Sequence, residues 1–164
     1  MISDKLVNLN SGSVCFMEYD DTGVFDFSPQ QVFDVVADIE RYPEFLPGWR
    51  SVKLLDRENG NVTVEQEIGF PLLNWRFESR AILEPPYHIS IKSTEGPFPN
   101  LEIRWGFAPV DKGQTKVSVI IHSNSAPGPQ HRFLHAMLSS TSRSLLDYFR
   151  DRVSEVYSQS NEGY

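Results

Sequence analysis

The sequence predicts an α+β fold in which a curved antiparallel sheet wraps around one long C-terminal helix, with a small helix pair after the first strand. Three observations predict it. A capped helix pattern occupies residues 28–49, a run of alternating strand patterns follows it, and residues 130–157 contain no Gly or Pro and repeat apolar side chains at helical spacing. Such a chain covers its apolar faces by packing the sheet on the last helix, an architecture called a helix grip.

Length and charge limit the class of protein. A chain of 164 residues forms one domain. We place this domain at residues 14–158, with a flexible N-terminal extension at 1–13 and a C-terminal tail at 159–164. The net charge of −7 and the scattered basic residues argue against nucleic acid as a partner. The single cysteine, Cys15, excludes an intramolecular disulfide.

The first predicted elements are a strand at residues 14–26 and a capped helix. Ser28 is a suitable N-cap for a helix that begins at Pro29, and Gln31 is placed to close a capping box. Apolar residues then fall on one face of this helix: Val32, Phe33, Val36 and Ile39.

Pro43 and Pro47 break this helix and leave a short second turn. The turn is rich in aromatic and apolar side chains: Tyr42, Phe45, Leu46 and Trp49. A kinked segment this apolar indicates a helix pair that gates an apolar interior. We expect it to be a mobile rim that contacts a bilayer.

A six-stranded meander is predicted next, with one apolar and one polar face and a turn signal between neighbouring strands. The strand patterns occupy residues 52–57, 62–70, 75–83, 88–94, 101–107 and 117–121.

The final pattern predicts one unbroken helix over residues 130–157. Its middle, SSTSRS at 139–144, has small side chains such as Thr141, which would leave a cavity where the helix faces the sheet. The alternative is that large side chains of the sheet fill this space: Trp75, Phe77, Trp105 and Phe107.

Catalytic and metal-binding patterns are weak. His131 and His135 are spaced like a zinc pair, but no third ligand stands at the spacing that a metallohydrolase needs. His88 and His122 lie in strand patterns with no Ser or Cys partner nearby in sequence. We therefore expect no catalytic residue and no metal.

Four separated segments resemble the coenzyme-Q-binding proteins of the START-like polyketide cyclase superfamily. In order they are VADIERYPEFLPGW, IGFPLLNWRFESRA, EGPFPNLEIRWGF and FRDRVSEVY, and the resemblance covers residues 16–157. The Gly69–Pro71 turn and the Leu101–Phe107 run are more similar to the eukaryotic mitochondrial branch than to the bacterial ribosome-associated toxins.

The resemblance implies a START/Bet v 1-like fold and a protein without enzymatic activity or catalytic cofactor that binds ubiquinone in its cavity. It implies a role in respiratory electron transfer and quinone synthesis, and a peripheral place on the matrix side of the mitochondrial inner membrane, or in the cytoplasm if the source is bacterial. Proteins of quinone biosynthesis or the respiratory chain are further expected partners. Two alternatives remain: a polyketide aromatase/cyclase-type enzyme and a ribosome-associated interaction module.

One polar residue, Gln66, is predicted on the apolar face of the sheet, where an unpaired amide costs about 1–3 kcal/mol. Its partner is either a backbone group or buried water, or a quinone carbonyl, with Ser79 as a second donor. We expect the quinone tail to enter past Phe45, Leu46 and Trp49. The apolar wall for the tail is predicted to be Phe70, Leu101, Trp105, Leu138 and Leu145.

Overall fold

The structure, a computed structural model, describes residues 1–10, 12–93, 95–139 and 143–159. Its centre is one eight-stranded antiparallel sheet with the strand order β1-β2-β8-β7-β6-β5-β4-β3. The strands are β1 (Ile2–Leu9), β2 (Gly12–Phe25), β3 (Trp49–Glu58), β4 (Asn61–Phe70), β5 (Leu73–Glu84), β6 (His88–Ser93), β7 (Leu101–Pro109) and β8 (Thr115–Ser125). The helices are α1 (Pro29–Ala37), a 3₁₀ helix (Ile39–Glu44), a 3₁₀ turn (Asp111–Gly113), α2 (Pro129–Leu138) and α3 (Leu145–Gln159).

The predicted helix grip is confirmed: the curved sheet packs around the C-terminal helix. Phe149 of α3 is 1% exposed, and its ring meets the Trp105 ring of β7 edge to face, with centroids 4.9 Å apart. Val153 and Leu146 of the same helix are also buried. The apolar face of α3 therefore forms the centre of the core.

Helix α1 begins as predicted. The Gln31 backbone N–H donates to Ser28 Oγ (3.3 Å), and the Ser28 backbone N–H donates to Gln31 Oε1 (3.0 Å), which completes a capping box. The helix ends before a 3₁₀ helix that contains Pro43. There the Tyr42 hydroxyl, which is buried, donates to the Val36 carbonyl at 2.5 Å. The helix pair is therefore joined by a buried hydrogen bond.

The expectation of a flexible extension at residues 1–13 is wrong for the described part of that range. Residues 2–9 form β1, which pairs with β2 along its full length, from Ile2 opposite Tyr19 to Leu9 opposite Gly12. The long strand β2 offers a free row of backbone donors and acceptors, and β1 satisfies them. The domain thus begins with a β-hairpin.

The prediction of one helix over 130–157 is also wrong. Helix α2 ends at Leu138 and α3 begins at Leu145. Ser and Thr hydroxyls compete with helical backbone hydrogen bonds, so this composition favours a break. Ser144 then caps α3: its N–H donates to Asp147 Oδ2 (2.9 Å), and the Asp147 N–H donates to Ser144 Oγ (3.3 Å). Thr141, which we expected to face the sheet, lies outside the described residues.

Candidate functional site

A narrow cavity of about 60 Å³ lies between the sheet, the 3₁₀ helix, α2 and α3. Its wall is almost entirely aliphatic and aromatic. The sheet contributes Phe77 and Trp105, the β6–β7 connection contributes Phe98, and α3 contributes Phe149. The Phe77 and Phe98 rings pack edge to face at 5.3 Å. A cavity is therefore present, but aromatic side chains, two of them from the sheet, take up much of the space.

Three polar side chains form a hydrogen-bonded chain in this wall. Trp49 Nε1 donates to Gln66 Oε1 at 2.8 Å, and Gln66 Nε2 donates to Ser79 Oγ at 2.6 Å. Gln66 and Ser79 are 6% and 2% exposed. The predicted cost of an unpaired amide is thus avoided by hydrogen bonds to two side chains. Together these bonds use one of the two amide hydrogens of Gln66, and the Ser79 hydroxyl accepts that hydrogen.

Seven of the ten residues predicted to bind ligand line the cavity: Leu46, Trp49, Gln66, Ser79, Leu101, Trp105 and Leu145. The sheet register explains the polar pair, because Gln66 lies opposite Phe77 while Ser79 lies opposite Val64, one diagonal step away. Alternation along β4 and β5 therefore places both side chains on the inner face.

Phe45, Phe70 and Leu138 do not line this cavity. The Phe45 ring packs on the Phe149 ring, with ring centroids 5.3 Å apart, and Phe45 is not among the lining residues. Phe70 is 45% exposed, because β4 ends there and the hairpin carries its side chain out to Phe133 on α2. Leu138 is 5% exposed and belongs to the core.

The kinked segment is not an exposed rim. Tyr42 and Leu46 are 6% and 4% exposed, and both line the cavity. The prolines bend the chain inwards, so the apolar side chains close the end of the core. Gly48 follows with φ of +86°, and a Cβ there would lie 2.5 Å from the Phe133 ring. This glycine lets α2 pack directly on the segment.

Several cavity residues escaped the sequence analysis. Leu134 and Met137 line the cavity from α2, and their helical spacing was a usable signal. Phe98 is fully buried although it lies in a turn between β6 and β7. A turn position carries no pattern that predicts burial, so no signal was available for Phe98.

Among the described residues, the cavity wall contains no Asp, Glu, His, Lys or Arg. Its one titratable group, the Tyr42 hydroxyl, is bonded to a backbone carbonyl, and burial raises the pKa of Tyr42 far above its usual value. A general acid or base is therefore lacking in the described wall.

The two histidines on α2 lie outside the cavity wall. His135 Nε2 lies 2.8 Å from Asp4 Oδ2 of β1, and His131 Nε2 lies 3.9 Å from Asp4 Oδ1. In the part of the chain that the structure describes, no group of three His, Cys, Asp or Glu side chains is arranged to hold a metal. That part also contains no helix long and apolar enough to cross a membrane.

Residues 25–150 match the family profile described as polyketide cyclase/dehydrase and lipid transport. The chain belongs to this family. Among curated relatives, it is 24% identical to the ribosome association toxin RatA of Vibrio cholerae over 138 residues, which cover 84% of this chain and 96% of that protein. It is 33% identical to the mitochondrial coenzyme Q-binding protein COQ10 homolog B of Xenopus laevis over 94 residues, which cover 57% of this chain and 38% of that protein.

A solved structure of another protein has the same fold as this chain. The Zhui aromatase/cyclase from Streptomyces sp. R1128 superposes with a TM-score of 0.73 at 18% identity, over 87% of this chain and 96% of that one. The family match over residues 25–150 confirms the resemblance to the START-like polyketide cyclase superfamily. The choice of the mitochondrial branch stays a prediction, because the toxin matches more of the chain and the coenzyme-Q-binding protein matches at higher identity.

Proposed function

We propose that this chain is a non-catalytic binding protein for ubiquinone. The observation that carries the proposal is the Trp49–Gln66–Ser79 chain in an otherwise apolar cavity wall. A quinone ring offers two carbonyl acceptors, and its prenyl tail needs only an apolar surface. The second Gln66 N–H and the Ser79 hydroxyl are the donors for a carbonyl, and Leu101, Trp105 and Leu145 supply apolar wall.

Binding requires the cavity to widen. A cavity volume of about 60 Å³ holds only a few water molecules, fewer than the non-hydrogen atoms of a methoxy-substituted benzoquinone ring. Helix α2 is the element suited to move, because it contributes Leu134 and Met137 to the wall and ends at Leu138, before α3 begins at Leu145. We therefore propose that α2 shifts outwards when ligand enters, while α3 stays packed on the sheet.

An aromatase/cyclase activity ranks lower, because the described cavity wall offers no general acid or base. A ribosome-associated module is the second candidate, and the RatA match over 84% of the chain favours it. The net charge of −7 opposes direct contact with RNA, so such a module would bind a ribosomal protein. The proposed role in quinone supply includes peripheral contact with the mitochondrial inner membrane, and contact with quinone-biosynthesis or respiratory-chain proteins.

The test is the ligand content of protein purified without detergent from a ubiquinone-producing host. Organic extraction followed by mass spectrometry should recover ubiquinone below one molecule per chain. Recovery of phospholipid alone, or of no lipid, would contradict the proposal. Ribosome co-sedimentation separates the alternative: ribosome binding that weakens strongly as the salt concentration rises would favour the interaction module, whereas quinone content should barely respond to salt.

A further inference from the structure

The tip of the β4–β5 hairpin is a protruding apolar loop. It consists of Phe70, Pro71, Leu72 and Leu73, and we refer to it as the apolar tip. Leu72 is 99% exposed, and Phe70 and Leu73 are 45% and 43% exposed. Three large apolar side chains this exposed at one turn are unusual for a protein surface. Such a patch indicates a site that contacts a partner protein or a membrane.

The backbone holds the apolar tip in one conformation. Phe70 pairs with Leu73, so Pro71 and Leu72 form a two-residue turn. Gly69 has φ of +147°, and a Cβ there would lie 2.2 Å from the Leu73 carbonyl oxygen, so only glycine fits. The Leu72 side chain is therefore presented to solvent by a tight turn.

The apolar tip is attached to the helix that we propose to move. The Phe70 and Phe133 rings pack edge to face at 5.1 Å, and Trp75 lies 5.7 Å from the same Phe133 ring. Phe133 belongs to α2, next to Leu134 in the cavity wall. A continuous apolar path thus runs from the tip to the cavity.

The charges behind the apolar tip permit contact with an anionic surface. Arg50 and Arg76 pair with Glu67 at 3.9 and 3.2 Å, and Arg76 also pairs with Glu65 at 3.8 Å. Arg132, next to Phe133, is exposed. Two arginines thus balance two glutamates behind the tip, although the net charge of the chain is −7. These paired charges add nothing to the net negative charge that would repel anionic lipid headgroups.

The size of the apolar tip decides between a protein partner and a bilayer. A stable protein interface buries about 800 Å² on each partner, more than one four-residue turn offers. Partition into a bilayer needs only a few apolar side chains to leave water. We propose that the apolar tip inserts into the headgroup–acyl boundary of a lipid bilayer.

This places membrane contact at the β4–β5 hairpin instead of at the buried kinked segment. The proposal does not depend on which molecule the cavity binds. Vesicle binding of the purified chain is therefore measured separately from its ubiquinone content, and either result can fail while the other holds.

The experiment is co-sedimentation of the full chain with vesicles of equimolar phosphatidylcholine and phosphatidylglycerol. Leu72→Ser and Leu73→Ser should each lower the partition coefficient, Leu72→Ser by about tenfold or more. Leu6→Ser is the matched control, because Leu6 is 59% exposed on β1, away from this hairpin. Leu72→Ser should leave the melting temperature unchanged, since its side chain is exposed.

Three outcomes would overturn the proposal. The wild-type chain fails to sediment with the vesicles, Leu72→Ser binds them like wild type, or Leu6→Ser weakens binding as much as Leu72→Ser does. Sedimentation velocity without lipid adds a fourth: self-association that Leu72→Ser abolishes would identify a second copy of the chain as the occupant of the apolar tip.

Discussion

Trp49 donates its indole N–H to Gln66 Oε1 at 2.8 Å, which ties the first residue of β3 to the middle of β4. An indole nitrogen only donates, so the oxygen of the Gln66 amide must point towards Trp49. The amide nitrogen then points towards Ser79 and the cavity. The cavity wall therefore offers hydrogen-bond donors, and it favours ligands whose polar group is a hydrogen-bond acceptor.

Removing these donors should reduce ligand content more than stability. Gln66→Leu keeps the side-chain volume but leaves the half-buried Trp49 N–H without its partner, so we expect a stability loss of about 1 kcal/mol. Ubiquinone per folded molecule should fall severalfold, measured by mass spectrometry beside a urea denaturation curve. Ser79→Ala should act in the same direction.

Ser93→Ala is the matched control for Ser79→Ala. Both serines are 2% exposed, but Ser93 donates to the Glu78 carbonyl and does not line the cavity. Its replacement should change stability without changing ubiquinone content. Equal ligand loss in both serine variants would show that the effect arises from general loosening of the sheet.

Leu101 should behave as a cavity residue and not as an ordinary core residue. It is 7% exposed and lines the cavity, so Leu101→Ala should cost less than the usual ~2–5 kcal/mol for a core leucine while lowering ubiquinone content. Leu146→Ala, at a fully packed position on α3, should fall within that range and leave content per folded molecule unchanged. The reverse order of the two stability losses would contradict the assignment.

The double variant Phe45→Ser/Leu46→Ser should melt early and lose cooperativity. Leu46 is 4% exposed, and the Phe45 ring meets the Tyr42 and Phe149 rings at 5.8 and 5.3 Å. We expect a loss of about 3 kcal/mol or more, by circular dichroism and calorimetry. A native-like melt with slower quinone transfer between liposomes would instead support the membrane rim that the sequence indicated.

Acid should weaken the cap of α3. The hydrogen bond from the Ser144 N–H lowers the pKa of Asp147 below its ordinary value. As the pH falls, the Asp147 carboxylate is therefore protonated in the unfolded chain before it is protonated in the folded chain. The stabilisation by this carboxylate is present above the unfolded pKa of about 3.9 and is lost as the pH falls through the folded pKa. Asp147→Asn keeps an acceptor oxygen without the charge. Its stability deficit at pH 7 should shrink as the pH falls below about 3.9 and through the folded pKa of Asp147, measured by urea denaturation, and a constant deficit would contradict this assignment.

Asp4 should hold α2 against β1. Its carboxylate lies 2.8 Å from His135 and 3.9 Å from His131, and Asp4→Ala should cost about 0.2–1 kcal/mol. Amides of α2 should then exchange hydrogen up to about fivefold faster while those of α3 do not change. Asp20→Ala, which removes an exposed carboxylate of the same hairpin, is the control. Uniform acceleration in both helices would argue against a local role for Asp4.

The sequence predicted those parts of the fold that depend on local patterns. The capping box of Ser28 and Gln31 and the inward positions of Gln66 and Ser79 follow from spacing alone. Residues 2–9 have no regular alternation, and their pairing with β2 is a contact between segments that local sequence does not encode. The break after Leu138 was missed because helical periodicity outweighed the low helix propensity of Ser and Thr.

The site was harder to predict where chain direction changes. Phe70 continues the inward alternation of β4, but the strand ends at the hairpin and the side chain leaves the cavity. The short, proline-broken and apolar segment around Tyr42 and Leu46 predicts an exposed rim, whereas the bend turns both side chains inwards. Alternation predicts on which face of the sheet a side chain lies within a strand. At Phe70, the last residue of β4, this prediction fails because the chain turns there.

Helices α2 and α3 are separate elements, so their residues can be exchanged separately. The capped helix α3 carries Leu146 and Val153, which pack in the core outside the cavity lining, whereas α2 carries Leu134 and Met137, which shape the space beside the polar chain. Exchange of residues 129–138 between homologous chains should therefore transfer ligand preference as a module. A change of bound ligand in such a domain would then need no change in the core residues of α3.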